Sequence, residues 1–241
     1  MAATPYFRVS AHRGLSGVMP ENTLPSFAAA IALGADEIEF DVRLTRDLQM
    51  IVCHDAEVNR VSERKGSLRD YDLDTLLHSN AGSYKNWYVP FCTPEQVIAQ
   101  FGGRVIMNIH IAEFHPDIDV PGELRRLLYR YDASDNAYFS ARGEELRQCR
   151  LSAPDIPRCS LQPGEPDGPD IVDYAIRYAC SRVQFQKPYF NRSLIRRAQD
   201  YGMRCSACWA DDRYETKRLL DAGIDTVLTN RADVLLAMRN E

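Results

Sequence analysis

The stretch FRVSAHRGLSGVMPENTLPSFAAAIALGADEIEFDVRLT (7–45) decides the fold. It opens on the alternating run FRVSAH (7–12) and closes on a second, EIEFDVRLT (37–45). A period of two is the mark of a strand. Between them NTLPSFAAAIALG (22–34) has helical apolar spacing, with Asn22 or Thr23 placed to cap its start and Gly34 to stop it. The rhythm recurs down the chain. Strands are expected at QMIVCH (49–54), after a turn at Arg46–Asp47, and at RVIMNIHI (104–111), AYFSA (137–141), near 157–161, at RVQFQ (182–186), MRCSACW (203–209) and DTVLT (225–229). Helices are expected over 94–102, 121–131, 143–151, 170–179, 191–201, 212–222 and 231–239.

About eight β/α units in one chain close most economically as a TIM-type (β/α)8 barrel, because its helices cover the outer face of a parallel sheet. The alternative is an open doubly wound sheet, against which the first βα loop lacks the GxGxxG pattern. Residues 1–241 are expected to form a single barrel domain. It is interrupted after the second strand region by a small polar insertion, 55–90, with little regular structure. The proline-rich stretch 154–169 is expected to be a stiff loop around a short strand, either a lid over the barrel mouth or a plain surface crossing.

Composition narrows the class. Hydrophobic residues make up 45% and charged residues 26%, which is enough apolar mass for a sizeable core. A formal net charge of −5 disfavours nucleic acid or an anionic membrane as a partner, and an anionic substrate would need a local positive device. No apolar run reaches the ~18 residues of a membrane span, and MAATPYFRVS does not read as a signal peptide. The seven scattered cysteines fit reduced thiols and a cytoplasmic location. Cys205 and Cys208 have the CxxC spacing of a redox or metal pair, but they sit in a run that alternates like a strand, which favours packing. The oligomeric state is left open.

The chemistry-bearing residues cluster near the first strands: AHRG (11–14), PENT (20–23), EIEFDVRLTRD (37–47) and VCHDAEVNR (52–60). Glu39 and Asp41, two apart on a strand, point the same way, while Ile38, Phe40 and Val42 point the other. Two adjacent carboxylates raise each other's pKa unless a cation sits between them, and oxygen ligands suit Mg²⁺, Ca²⁺ or Mn²⁺. His12 and His54 each end an expected strand and precede a charged residue, as if converging on one mouth as an acid–base pair. Arg13 offers a planar fork for phosphate oxygens.

Together HRG…PENT…GADEIEFDVRLTRD…VCHD resembles the signature of the glycerophosphodiester phosphodiesterase family. NRVSERKGSLRDYDLDTL (59–76) is similar to the start of that family's insertion, and CWADDRYETKRLLDAGIDTVLTNRAD to its closing segment, notably Trp209 and Gly223-Ile224-Asp225. The resemblance implies a barrel hydrolase of small-molecule phosphodiesters that releases glycerol 3-phosphate and an alcohol. It implies His12 and His54 as acid and base, Glu39 and Asp41 as ligands of Mg²⁺ or Ca²⁺, and Arg13 and Trp209 at the substrate. The chain departs from the family where a Glu-x-Lys is usual: His110 and Ala112 stand there, and the closing motif reads Thr229-Asn230-Arg231-Ala232. His110 as third ligand would shift preference toward Mn²⁺ or Zn²⁺. The alternatives are that His110 is a barrel-interior residue with no metal, or that Glu113 or His115 fills that place. Phospholipase D-like or cyclic-phosphate-forming chemistry, and a non-catalytic phosphodiester- or polyol-binding barrel, are the competing functions.

Overall fold

The computed structural model describes residues 6–161, 170–187 and 191–241. Its strands are β1 (Arg8–His12), β2 (Glu37–Leu44), β3 (Met50–Val52), β4 (Ile106–Ile111), β5 (Ala137–Ala141), β6 (Arg158–Leu161), β7 (Arg182–Gln186), β8 (Arg204–Cys208) and β9 (Thr226–Thr229). Its α-helices are α1 (Leu24–Ala32), α2 (Leu73–Leu77), α3 (Pro94–Phe101), α4 (Val120–Arg130), α5 (Gly143–Ser152), α6 (Ile171–Arg177), α7 (Arg192–Asp200), α8 (Arg213–Asp221) and α9 (Ala232–Arg239). All strands but β3 pair in parallel in the order β1-β9-β8-β7-β6-β5-β4-β2, and the β1–β2 pairing closes the ring. The sheet is the closed eight-stranded barrel that the alternation calls for.

The period of two sorts each strand into two environments. Val9, Ala11, Ile38, Phe40, Val42 and Ile109 belong to one continuous buried apolar cluster that includes Phe27 of α1 and Phe101 of α3. Phe27 meets Phe40 edge-on at 5.8 Å between ring centroids. Burial of each such side chain is worth roughly 1.5–3 kcal/mol, and this layer fastens the helices to the sheet. The alternate residues face the barrel axis and are polar: Ser10, His12, Glu37, Glu39, Asp41, Asn108 and Ser140 are all buried. Cys205 and Cys208 lie three apart on β8, hence on opposite faces of it, and both are free thiols. Strand packing explains the CxxC spacing.

β3 corrects the expected strand at 49–54. It runs antiparallel to β2, pairing Val42 with Val52 and Leu44 with Met50. Only residues 45–49 connect the two, too few for a crossover between parallel strands. His54 therefore does not stand at the end of a barrel strand. The hairpin folds the chain back instead, and the Cys53 N–H donates to the Asp41 carbonyl at 3.0 Å, which brings His54 alongside β2.

The insertion is also more ordered than expected. Besides α2 it holds 3-10 turns at Leu68–Asp70 and Ser83–Lys85 and bridges pairing Glu57 with Ser67 and Asn80 with Pro90. Val58, Val61, Leu68, Leu76, Ala81 and Phe91 pack with Ile51 and Cys53 of the hairpin as a second apolar cluster. Ser67 and Asp70 form a reciprocal capping box, which starts the first 3-10 turn. Thr23 is the N-cap residue of α1, but its hydroxyl donates to the Pro20 carbonyl rather than accepting a helix N–H. The second half of the proline-rich stretch expected over 154–169, residues 162–169, lies outside the described residues. Among the described residues no helix is long and apolar enough to cross a membrane.

Candidate active site

The site lies at the C-terminal ends of the barrel strands, the end at which barrels of this type gather their loops. β1 delivers His12 there, 7% exposed. Arg13 follows in the left-handed region at φ 58, and Gly14 at φ 79. A β-carbon on Gly14 would stand 2.5 Å from Ser26 Oγ and 2.8 Å from the Ser26 backbone carbon, so only glycine lets the loop pass α1 this closely. The turn points the Arg13 N–H at Glu39 Oε2, 3.0 Å away. The Arg13 Nη1 donates to Glu21 Oε1 at 2.9 Å. Its Nε lies 3.6 Å from Asp41 Oδ2 and is buried without a hydrogen-bond partner.

β2 and β4 supply the acidic centre. Their register pairs Asp41 with His110, and His110 Nδ1 lies 2.8 Å from Asp41 Oδ1. Asn22 donates from Nδ2 to Asp41 Oδ2 at 2.9 Å, while its buried Oδ1 has no partner. Burial and the adjacent Asp41 charge push the Glu39 carboxyl well above its ordinary range. Burial works on Asp41 as well, but the hydrogen bond and charge of His110 outweigh it and hold that carboxyl far below. The pair titrates as a unit, with one carboxyl ionised easily and the other at a cost.

His12 is fixed by a chain of partners. Asn230 gives Nδ2 to Asp211 Oδ2 at 2.9 Å, so its Oδ1 faces His12 Nδ1, also at 2.9 Å. A carbonyl oxygen only accepts, so the proton sits on His12 Nδ1 and the Nε2 lone pair is free. Burial, and after it the Arg13 charge, bring the imidazole down to about 4, against the hydrogen bond to Asn230. Trp209 stacks on the ring at 5.9 Å between centroids and 15° between planes, and is itself 49% exposed at the mouth.

His54 is more open, its side chain 40% exposed. Its Nδ1 lies 2.6 Å from Asp55 Oδ1, and its carbonyl accepts from Arg43 Nε at 2.7 Å. Arg60 joins the two sides of the site: its Nε donates to Asp55 at 2.7 Å, and its Nη1 and Nη2 to Glu21 at 2.6 and 2.8 Å. Burial raises the Asp55 carboxyl, but the hydrogen bonds from Arg60 and His54 outweigh it and keep it below its usual range.

The structure thus brings His12, Arg13, Glu39, Asp41, His110 and Trp209 to one mouth, with His54 beside them on the hairpin. One ligand atom each from Glu39, Asp41 and His110 lie within 4.8 Å of one another, the one such group among the described residues. Glu113 is not part of it, because its carboxylate accepts from the Leu44 N–H, Arg43 and Arg69. His115 lies with Phe114, Pro116 and Ile118 around a separate cavity. The donor set suits a divalent cation, with two buried carboxylates, one imidazole and the partnerless Asn22 oxygen beside them. Sequence reasoning did not single out Glu21, Asn22, Asp55, Arg60, Asp211 or Asn230 as site residues. The PENT motif and the altered closing motif were the signals that pointed at three of them.

Residues 12–234 match the model of the glycerophosphoryl diester phosphodiesterase family. The chain is 26% identical to a glycerophosphodiester phosphodiesterase of Caldanaerobacter subterraneus, over 95% of this chain and 96% of that one. It is 26% identical to one of Bacillus subtilis, over 93% and 83%. Among solved structures it resembles an Oleispira antarctica phosphodiesterase in complex with the product sn-glycerol-3-phosphate, with a TM-score of 0.83, 22% identity and 97% of each chain covered. It also resembles a glycerophosphodiester phosphodiesterase of Agrobacterium tumefaciens, with a TM-score of 0.80, 19% identity and 96% and 99% covered. The chain belongs to the glycerophosphoryl diester phosphodiesterase family and is, by that membership, a phosphoric diester hydrolase.

Proposed function

We propose that the chain hydrolyses glycerophosphodiesters to glycerol 3-phosphate and an alcohol, with His12 as general base and His54 as general acid. The observation that carries the assignment is the fixed tautomer of His12. Asp211 orients the Asn230 amide, the amide oxygen accepts a hydrogen bond from the Nδ1–H, and Nε2 is left as the only lone pair in a ring that stays neutral at pH 7. Nε2 takes the proton from the nucleophile, either water or the neighbouring glycerol hydroxyl, as its oxygen bonds to phosphorus. As the bond to the leaving alcohol breaks, that oxygen takes a proton from His54. Asp55, hydrogen-bonded to His54 Nδ1, orients the ring and sits against the charge it carries before the transfer.

Glu39, Asp41 and His110 are the residues that would hold a divalent cation. The carboxylates suit Mg²⁺ or Ca²⁺, and the imidazole admits Mn²⁺ or Zn²⁺. A bound cation supplies positive charge to a non-bridging phosphate oxygen as negative charge builds there. Arg13 supports the same oxygens, since its buried Nε is an unpaired donor. Ala112 brings no charge of its own. Arg43 comes next after the Val42–Ile111 pair on the neighbouring strand and is the cation closest in register to it. Trp209 offers an open aromatic face beside His12 for the carbon side of the glycerol moiety. The seven free cysteines support a cytoplasmic location.

Turnover of glycerophosphocholine and bis(p-nitrophenyl) phosphate with each of Mg²⁺, Ca²⁺, Mn²⁺ and Zn²⁺ tests the reading. His12→Ala and His54→Ala are expected to lower kcat by at least about 10²-fold while the chain stays folded. Near-normal rates in both would contradict it. Phosphorus NMR of the product distinguishes a monoester from a cyclic phosphate.

A further inference from the structure

Beside the site, and sharing His54 with it, an open cleft of about 380 Å³ runs out between the barrel and the insertion. Arg43 bounds it on the barrel side, and Asp55, Glu57, Asn59 and Arg60 on the insertion side. Its size falls within the roughly 300–1,000 Å³ of small-molecule sites. We propose that this cleft is the subsite for the leaving alcohol and that it fits an uncharged alcohol carrying several hydroxyl groups. The inference rests on His54 as the general acid and adds the chemical class of the group released.

Position supports it first. The group that protonates the leaving oxygen must lie within hydrogen-bond reach of it, so the alcohol occupies whatever space His54 faces. His12 is buried and covered by Trp209, whereas the His54 side chain is 40% exposed and forms part of the cleft wall. The half of the diester that stays lies on the closed side, and the half that leaves lies on the open side.

The lining chemistry then selects the ligand. Two guanidinium groups, Arg43 and Arg60, and two carboxylates, Asp55 and Glu57, line the cleft, so its walls present charged groups of both signs. Some of their hydrogen-bonding capacity is unused. Arg43 spends Nε on the His54 carbonyl and Nη1 on Glu113, and its Nη2 donates to no described residue. The Glu57 carboxylate accepts from Asn59 Nδ2 alone among the described residues, at 2.5 Å. Free donors and free acceptors facing one space match a polyol, because each hydroxyl both gives and takes a hydrogen bond. Among the described residues no Trp, Tyr or Phe ring lines the cleft to hold a quaternary ammonium group. Among the described residues that line it, Ala56 is the one whose side chain has no polar group. A separate cavity, about 200 Å³ around Ile111, Phe114, Pro116 and Ile118, includes neither His12 nor His54.

The test compares kcat/KM for glycerophosphoglycerol and glycerophosphoinositol with that for glycerophosphocholine, in wild type and in Glu57→Ala. The polyol diesters are expected to be preferred. Glu57→Ala is expected to lower their kcat/KM about tenfold more than that for glycerophosphocholine or bis(p-nitrophenyl) phosphate, the worth of one hydrogen bond to a charged group. Equal use of all head groups, a preference for choline, or an equal loss on every substrate in the variant would overturn the subsite. If no diester is cleaved with any cation, the hydrolase reading falls, and the subsite is decided by ligand-detected NMR of free myo-inositol. Binding that Glu57→Ala removes supports it, and no binding overturns it.

Discussion

Two layers of the same barrel carry carboxylates on the same face of the same strand, and they are treated in opposite ways. At the closed end, Glu37 is fully buried and surrounded by the protein's own partners. Tyr138 donates to it at 2.7 Å and Arg182 at 3.2 Å, Arg8 stands 3.6 Å away, and Arg182 lies over the Tyr138 ring. Two and four residues further on, Glu39 and Asp41 are equally buried, but one arginine and one imidazole serve both. The excess appears in the raised Glu39 carboxyl and in the partnerless Asn22 oxygen and Arg13 nitrogen. A layer whose charges are all answered holds the barrel together. A layer left with unspent negative charge and free donors suits a ligand from outside, which in the proposed function is a cation and a phosphate.

The contrast gives graded expectations. Glu37→Gln leaves two mostly buried arginines without their counter-charge and is expected to cost about 3–5 kcal/mol of folding stability, measured by urea unfolding. If the loss is below about 1 kcal/mol, the lower layer is not the tie described here. The upper layer gives a pH effect next. His12 sits at about 4 when folded against 6.5 unfolded, so between those values the unfolded chain binds the extra proton. Stability contributed by neutral His12 is complete above pH 6.5 and is lost as pH falls toward 4, by roughly 3 kcal/mol. In metal-free protein the urea midpoint should fall more steeply over that window in wild type than in His12→Gln. Parallel profiles would remove His12 as the cause. The smallest effect has the opposite sign. Glu39→Gln relieves like-charge crowding and should raise metal-free stability by about 1 kcal/mol while abolishing turnover, a cost of function that Glu37 does not carry.

Much of this was legible in the sequence, and the rest was hidden for physical reasons. Period-two alternation located every barrel strand, and helical spacing located the helices around them, because inside and outside differ so sharply in polarity. The same alternation does not distinguish a parallel strand from a hairpin. For Met50–Val52 the turn at Arg46–Asp47 marked the break, but the count of β/α units did not say that the strand after it folds back along β2. The insertion looked unstructured because its apolar residues are sparse. Yet they converge on a small core of their own, and the Ser67–Asp70 capping pair marked one turn. Glu39, Asp41 and His110 could be named because strand geometry and family pattern both point at them. The Asp211–Asn230–His12 chain and the Glu21–Arg60–Asp55 link could not, since they join residues brought together only when the ring closes and the insertion folds over it.

The most direct test of the central claim is calorimetric titration of Mg²⁺, Ca²⁺, Mn²⁺ and Zn²⁺ into the metal-free wild type and Asp41→Asn. One ion per chain, bound by the wild type and lost in the variant, is the expected result. Binding by none of the four, or equal binding in Asp41→Asn, would contradict a cation held between the upper carboxylates.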